Sequence, residues 1–371
     1  MKRALFILLC VLSLSAFDSC SDKKKENLPA DVIDLTVPLD FDESAPLPSI
    51  SDLFEVREVL LETAGVESFV GMIEDIRQMG DTLFLKTPTS IMMFDADDGR
   101  FIRKIERVGR GRGEYVNISL FDLDEANNQI VIYTGNHEIM RYNTDGSFVS
   151  RAELSFNAIQ FALLPNGNYV FFTPFDSYDP SGLWLTDGEF NIKRKLVSVD
   201  FHTNGYMGGK CLVHVNDSVV GFMGLDDTKL FYHIIGDSLI PVYRMVCDEL
   251  GELEMIEMEY GGMYQPSFYR SQYYESDRLL AFNLQPSGGY TRMVRTFYDK
   301  KTGKTSYLYM QDPRENVDWA DARVPYFTGN YKGYFYTVTT FGNIEYDEVL
   351  RNRYPEMTEE SNPLIRIYRS K

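Results

Sequence analysis

Two segments hold the residues best suited by type and spacing to chemistry. In Val108-Gly-Arg-Gly-Arg-Gly-Glu-Tyr115, three glycines alternate with Arg110, Arg112 and Glu114, and Tyr115 closes the run. Glycine allows positive φ and close backbone approach, so these charges can pair with one another or present the two arginines to an anion or carboxylate. A phosphate loop is excluded, because the Gly-Lys-Ser/Thr ending and a following helix are both missing. The other segment, Glu252 to Glu275, gathers Tyr260, Tyr264, Phe268, Tyr269, Tyr273 and Tyr274 beside Gly261-Gly262. Aromatic rings offer large contact area at low entropic cost and stack on sugar faces, so this long stretch is a candidate binding surface. An equal reading makes Phe268 to Tyr274 an inner strand and part of the core.

Catalytic and metal constellations are thin. His137, His202, His214 and His233 fall on different predicted strands or loops without ligand spacing, and each reads as a packing residue. Asp95-Ala-Asp97-Asp98-Gly99 and Asp122-Leu-Asp-Glu125 resemble calcium loops in composition, but neither completes a ligand pattern, and both read as solvated turns. A Gly-x-Ser-x-Gly nucleophile elbow is absent. Sialidase-type Asp boxes would need a tryptophan in each repeat, and only Trp184 and Trp319 occur. No catalytic residue, metal site or cofactor is assigned.

The elements that must position these residues recur. A tight turn followed by an apolar strand appears at Gly80-Asp81, Asn127-Asn128, Asn166-Gly167, Asn216-Asp217, Ser276-Asp277 and Lys332-Gly333, at spacings of roughly 40 to 60 residues. Each strand leads into another, and five of these end in a second turn with glycine beside a small polar residue, such as Asp98-Gly99 and Asp145-Gly146. The pattern predicts a six-bladed β-propeller of four-stranded antiparallel blades, against a two-sheet sandwich as the competing architecture. The sixth unit stops at Lys371 without an outer strand, whereas Leu53 to Leu61 is a strand without a blade. The N-terminal strand is therefore expected to close the ring in the last blade, leaving no exposed edge.

Residues 1–20 read as an export signal ending at Cys20, with Lys2-Arg3 before an apolar run from Ala4 to Phe17 that is too short to span a bilayer. Lipidation of Cys20 would tether the protein to a membrane; simple secretion is the competing outcome. Residues 21–51, acidic and containing Pro29, Pro38, Pro46 and Pro48, read as a flexible tether before a body at 52–371. The expected location is the cell envelope, periplasmic or outer-membrane associated. The net charge of −18 excludes nucleic acid and anionic headgroups as main partners. In the repeat register Cys211 and Cys247 lie three strand spacings of about 4.8 Å apart, beyond the ~7 Å reach of a disulfide, and two free, mostly buried thiols are expected.

The repeat, the N-terminal signal and the Gly109 to Tyr115 segment together resemble the six-bladed β-propeller lipoproteins of gut Gram-negative anaerobes, distantly similar to NHL-repeat and TolB-like propellers. In that family the matching connection often reads Gly-x-Gly-Pro-Gly-Glu-Tyr; here Gly109, Gly111, Gly113, Glu114 and Tyr115 match, and Arg112 replaces the proline. The resemblance implies architecture and location more than activity. Two function classes remain. One is a monomeric, tethered binding or scaffold protein for a glycan, peptide or envelope protein. The other is a lactonase-like hydrolase or lyase, for which a central calcium ion would be held by side chains from several inner strands.

Overall fold

The computed structural model describes residues 29, 31–37, 50–173, 182–198, 209–224, 229–246, 254–256, 263–265, 268–286, 293–310, 327–344 and 348–371. Strand follows strand because the intervening turns carry residues that accept positive φ. Gly80 (57°), Asn128 (53°), Gly167 (81°) and Lys332 (48°) each sit where a first strand turns into a second.

Four separate sheets of four antiparallel strands result. In chain order they are Asp75–Met79, Thr82–Lys86, Ile91–Asp95 and Phe101–Ile105; Leu120–Asp124, Gln129–Tyr133, Glu138–Asn143 and Phe148–Glu153; Gln160–Leu163, Tyr169–Thr173, Gly182–Thr186 and Ile192–Ser198; and Phe268–Glu275, Leu279–Pro286, Met293–Asp299 and Lys304–Met310. Leu120–Asp124 lies against Gln160–Leu163, and Arg77 of Asp75–Met79 reaches Asp122 of Leu120–Asp124, so the arrangement is a propeller with these first strands innermost.

The burial patterns follow from that geometry. Second strands such as Gln129–Tyr133 are buried along nearly their whole length because a neighbouring sheet covers each face. The outermost Phe148–Glu153 instead alternates between half-buried and exposed. The core accordingly lies between sheets, where Phe84, Met92 and Phe94 of the first pack in one cluster with Phe121, Ile130 and Met140 of the second.

The sequence repeat predicts six separate sheets, and this expectation is corrected, since only four stand alone. The strands expected for the fourth and sixth lie in one nine-stranded sheet, in the order Ile33–Thr36, Ser238–Val246, Leu230–Ile235, Val220–Met223, Leu212–His214, Gly329–Tyr331, Tyr334–Thr339, Leu364–Ser370 and Phe54–Leu60. Its two halves join because His214 and Tyr331, on two inner strands, meet as one parallel residue pair. A two-stranded ribbon, Glu254–Ile256 with Met263–Gln265, completes the described strands. Phe54–Leu60 pairs antiparallel with Leu364–Ser370 from Phe54↔Ser370 to Leu60↔Leu364, the pairing that the truncated last unit predicts.

The tether expected at residues 21–51 also needs correction. Within it, Ile33–Thr36 is a strand, parallel to Tyr243 to Val246 at the edge of the nine-stranded sheet. Leu35 and Val37 enter the core, while Asp34 takes a bidentate hydrogen bond from Arg244 at 2.9 and 2.7 Å on the surface. Arg244→Ala should cost less than about 1 kcal/mol because both partners are solvated. Leu35→Ala should cost about 2 kcal/mol, as a methyl-rich side chain leaves a filled site. Denaturation midpoints of the two variants check the order; equal costs would mean that the segment is not docked by its apolar side.

Candidate axial binding site

The inner strands bring polar side chains from distant parts of the chain to one place. Arg77 lies on Asp75–Met79, Asp122 on Leu120–Asp124 and His214 on Leu212–His214. Asp122 is fully buried. Its Oδ1 accepts from Arg77 Nη1 and from Leu123 N (2.8 Å), and its Oδ2 accepts from His214 Nε2 (2.8 Å) and Leu163 N (2.7 Å). One carboxylate thus ties together four inner strands.

Burial would raise the Asp122 pKa, but Arg77 and then His214 hold the carboxyl well below the usual carboxylate range. Burial likewise works against the Arg77 charge, and Asp122 and Asp75 outweigh it. The Arg77 guanidinium lies 4.9 Å from the Phe121 ring centroid and 5.1 Å from that of Tyr331, which also meets the His214 ring edge-on at 4.9 Å.

Beside this node lies a cavity of about 240 Å³. Asp75, Leu120 and Gln160 open their strands and Lys210 precedes Leu212–His214, so the cavity sits at the end of the axis where the chain enters the inner strands. Lys210 bonds to Asp75 across the cavity, and Lys86 bonds to Glu74. Gln160 bridges two sheets, donating to Gly209 O (2.5 Å) and accepting from Cys211 N and Leu212 N (both 2.8 Å). Phe121, Phe161, Leu212 and Val213 supply apolar wall. The two lysines of the lining are thus paired with its carboxylates, and Arg77 and His214 with Asp122 beside it.

A second polar cluster lies off the axis. Buried Glu275 accepts from His233 Nε2 (2.8 Å), Lys300 Nζ (2.5 Å) and the Tyr273 hydroxyl. Burial would raise its pKa, yet His233 and Lys300 hold it below its ordinary value. Gly221 is required beside it, since a Cβ there would collide with the Tyr273 hydroxyl.

A family profile described as a domain of unknown function, DUF4934, matches residues 31–369. The chain belongs to the DUF4934 family. No functionally curated protein matches it. Among solved structures, the DUF4934 chain is similar to a candidate exported protein of Bacteroides fragilis NCTC 9343 at 20% identity and TM-score 0.70, over 91% of this chain and 99% of that one. A member of the DUF4221 family from Bacteroides vulgatus aligns at 7% identity and TM-score 0.49, over 86% and 99% of the two chains. The first likeness supports the propeller fold of the DUF4934 protein.

Neither the Gly109 to Tyr115 segment nor Tyr273 and Tyr274 line the axial cavity. The Gly109 to Tyr115 segment is a crossover folded on itself. Gly109 N donates to Tyr115 O (2.9 Å), and Glu114 turns back to accept from Gly111 N (2.7 Å). Gly109 leaves room for the Glu114 carboxylate, and Gly113, at φ 72°, leaves room for the Phe148 ring. Arg110 and Arg112 are exposed and do not line the cavity. Tyr115 is a packing residue rather than an open ligand contact: its hydroxyl donates to Ile105 O (3.2 Å), and burial pushes its pKa up to about 12.

Tyr273 and Tyr274 are buried on Phe268–Glu275, which is an inner strand, so these two rings offer no exposed surface. Phe268 and Tyr269 lie on that strand and Tyr264 on the ribbon. Tyr260, Cys20, His202 and Cys247 lie outside the described residues. Cys211 is buried and free, and burial pushes its thiol pKa well up. Asp95 forms the expected turn, accepting from Asp97 N and Asp98 N, whereas Asp122 is corrected from a solvated turn to a buried strand residue.

Proposed function

We propose that this DUF4934 protein is an exported, membrane-tethered recognition module that takes a ligand at the axial cavity without turnover. The observation that carries this reading is the cavity itself, walled by several inner strands with its ionic groups already paired. A calcium ligand must offer its carboxylate oxygens to the metal. Here Glu74 holds Lys86, Asp75 holds Lys210, and Asp122 holds Arg77 and His214. The lactonase-like alternative asks the same carboxylates to ligate calcium, for which they would first have to give up those cations. Among the described residues no group of three or more His, Cys, Asp or Glu side chains is placed to hold a metal.

On this reading the nine-stranded sheet counts as two blades that touch at the axis, giving six in total. The single parallel contact of His214 with Tyr331 supports it, because, apart from the edge strand Ile33–Thr36, the strands within each half pair antiparallel over longer runs. Lipidation at Cys20 supplies the tether, and the likeness to a candidate exported protein agrees with export. Tyr260, Tyr264, Phe268 and Tyr269 remain candidates for ligand contact. Arg110 and Arg112 remain candidates for a separate surface contact.

The melting temperature of the whole chain, scanned against calcium, oligosaccharides and peptides, tests the reading, since ligands of the native state raise it by mass action. An organic ligand should give a rise that Lys210→Leu reduces, and calcium should give none. A calcium rise abolished by Asp75→Asn would favour the enzyme.

A further inference from the structure

We infer that the axial cavity takes a neutral polyhydroxylated ring, a single sugar unit, in preference to a charged ligand; this rests on the recognition reading above. Charge is the first argument. A carboxylate entering the cavity would have to compete with Asp75 for Lys210, and an ammonium would have to compete with Lys210 for Asp75. The second exchange takes from Lys210, 26% exposed, its carboxylate, and the first leaves Asp75, 16% exposed, with Arg77 at 3.6 Å as its remaining cation. The desolvation cost of the group that loses its partner works against the new contact.

A hydroxyl avoids the exchange. A lysine ammonium has three donors and a carboxylate about four acceptor sites, so an ion pair keeps spare valences of both kinds. Glu74–Lys86 and Asp75–Lys210 thus present donors and acceptors side by side. Vicinal hydroxyls, each able to donate and accept, match that alternation without breaking either pair. The apolar wall at Phe161 and Leu212 suits the C–H face of a ring. Size agrees as well, because 240 Å³ accommodates one such ring.

Isothermal titration of the whole chain with neutral hexoses, pentoses and N-acetylhexosamines, alongside glucuronate, glucosamine and dialanine, tests the inference. At least one neutral sugar should bind tenfold or more tightly than its charged ring analogue, and Lys210→Leu should weaken it by tenfold or more. Lys210 is partly exposed, so this variant should fold, and the preference of the unmodified protein is a second readout that needs no variant. If glucuronate, glucosamine or dialanine binds more tightly and Lys210→Leu weakens it, the ligand class is wrong and axial recognition stands. If no compound binds, or binding ignores Lys210→Leu, both readings fall.

Discussion

Phe54→Ala is expected to lower stability by about 3–5 kcal/mol, the range for removing a buried aromatic ring. Phe54 opens the strand that the beginning of the chain contributes to its last sheet, and it is 2% exposed. Its ring meets Phe335, Tyr368 and Phe327 edge-on at centroid distances of 5.3, 5.8 and 6.0 Å. These contacts join residues some 300 positions apart, so chain entropy opposes them until the sheets between have formed. Val56 on the same strand is 45% exposed and serves as the control, with Val56→Ala expected within about 0.5 kcal/mol of the parent. Urea midpoints of the two variants decide the matter. Equal costs would show that the strand adds hydrogen bonds to the last sheet without fastening it through this aromatic cluster.

The closing strand was legible in the sequence because it was a surplus: a strand at Leu53 to Leu61 without a sheet, and a final sheet without its outer strand. Turns were legible for a similar local reason, since glycine or asparagine marks the positive-φ position at Gly80, Asn128, Gly146 and Gly167. At Asp187-Gly188 the same reasoning misplaces the strained residue, and the positive φ falls on Phe190, whose ring packs against Tyr169 at 4.9 Å. Packing there outweighs the backbone cost.

The axial site was not legible, because its members come from different repeats on short inner strands with weak patterns of their own. His214 looked like a packing residue and Asp122 like part of a turn, and nothing local pairs them across 92 positions. One signal was available. Arg77, Asp122, His214 and Asn330 are polar residues inside strands that open four of the repeats, where an apolar side chain would be the default. The glycine-rich crossover drew attention instead, although its glycines are explained by Glu114 folding back and by the Phe148 ring.

The polar node itself yields the other large effect. Asp122→Asn keeps the shape of the side chain and removes its charge, leaving Arg77 with only Asp75, 3.6 Å from its Nε, as anionic partner. The amide also retains a single acceptor oxygen where the carboxylate used two, so at least one of Arg77, His214 and Leu163 N loses its bond. Breaking one side of a buried ion pair costs about 3–5 kcal/mol, which is the expected loss at pH 7. The sign of the pH dependence follows from the depressed pKa of Asp122, whose ordinary value is 3.8. A carboxyl that is more acidic in the folded state stabilises the fold above its unfolded pKa, and that contribution fades as pH falls below it. The stability gap between parent and Asp122→Asn should therefore be constant from about pH 7 to 5 and narrow as pH drops through 4 toward 3. Urea denaturation of both proteins across that range reads the gap directly. A gap that stayed the same at pH 3 would mean that lost shape or hydrogen bonding, and not the carboxylate charge, holds the inner strands together.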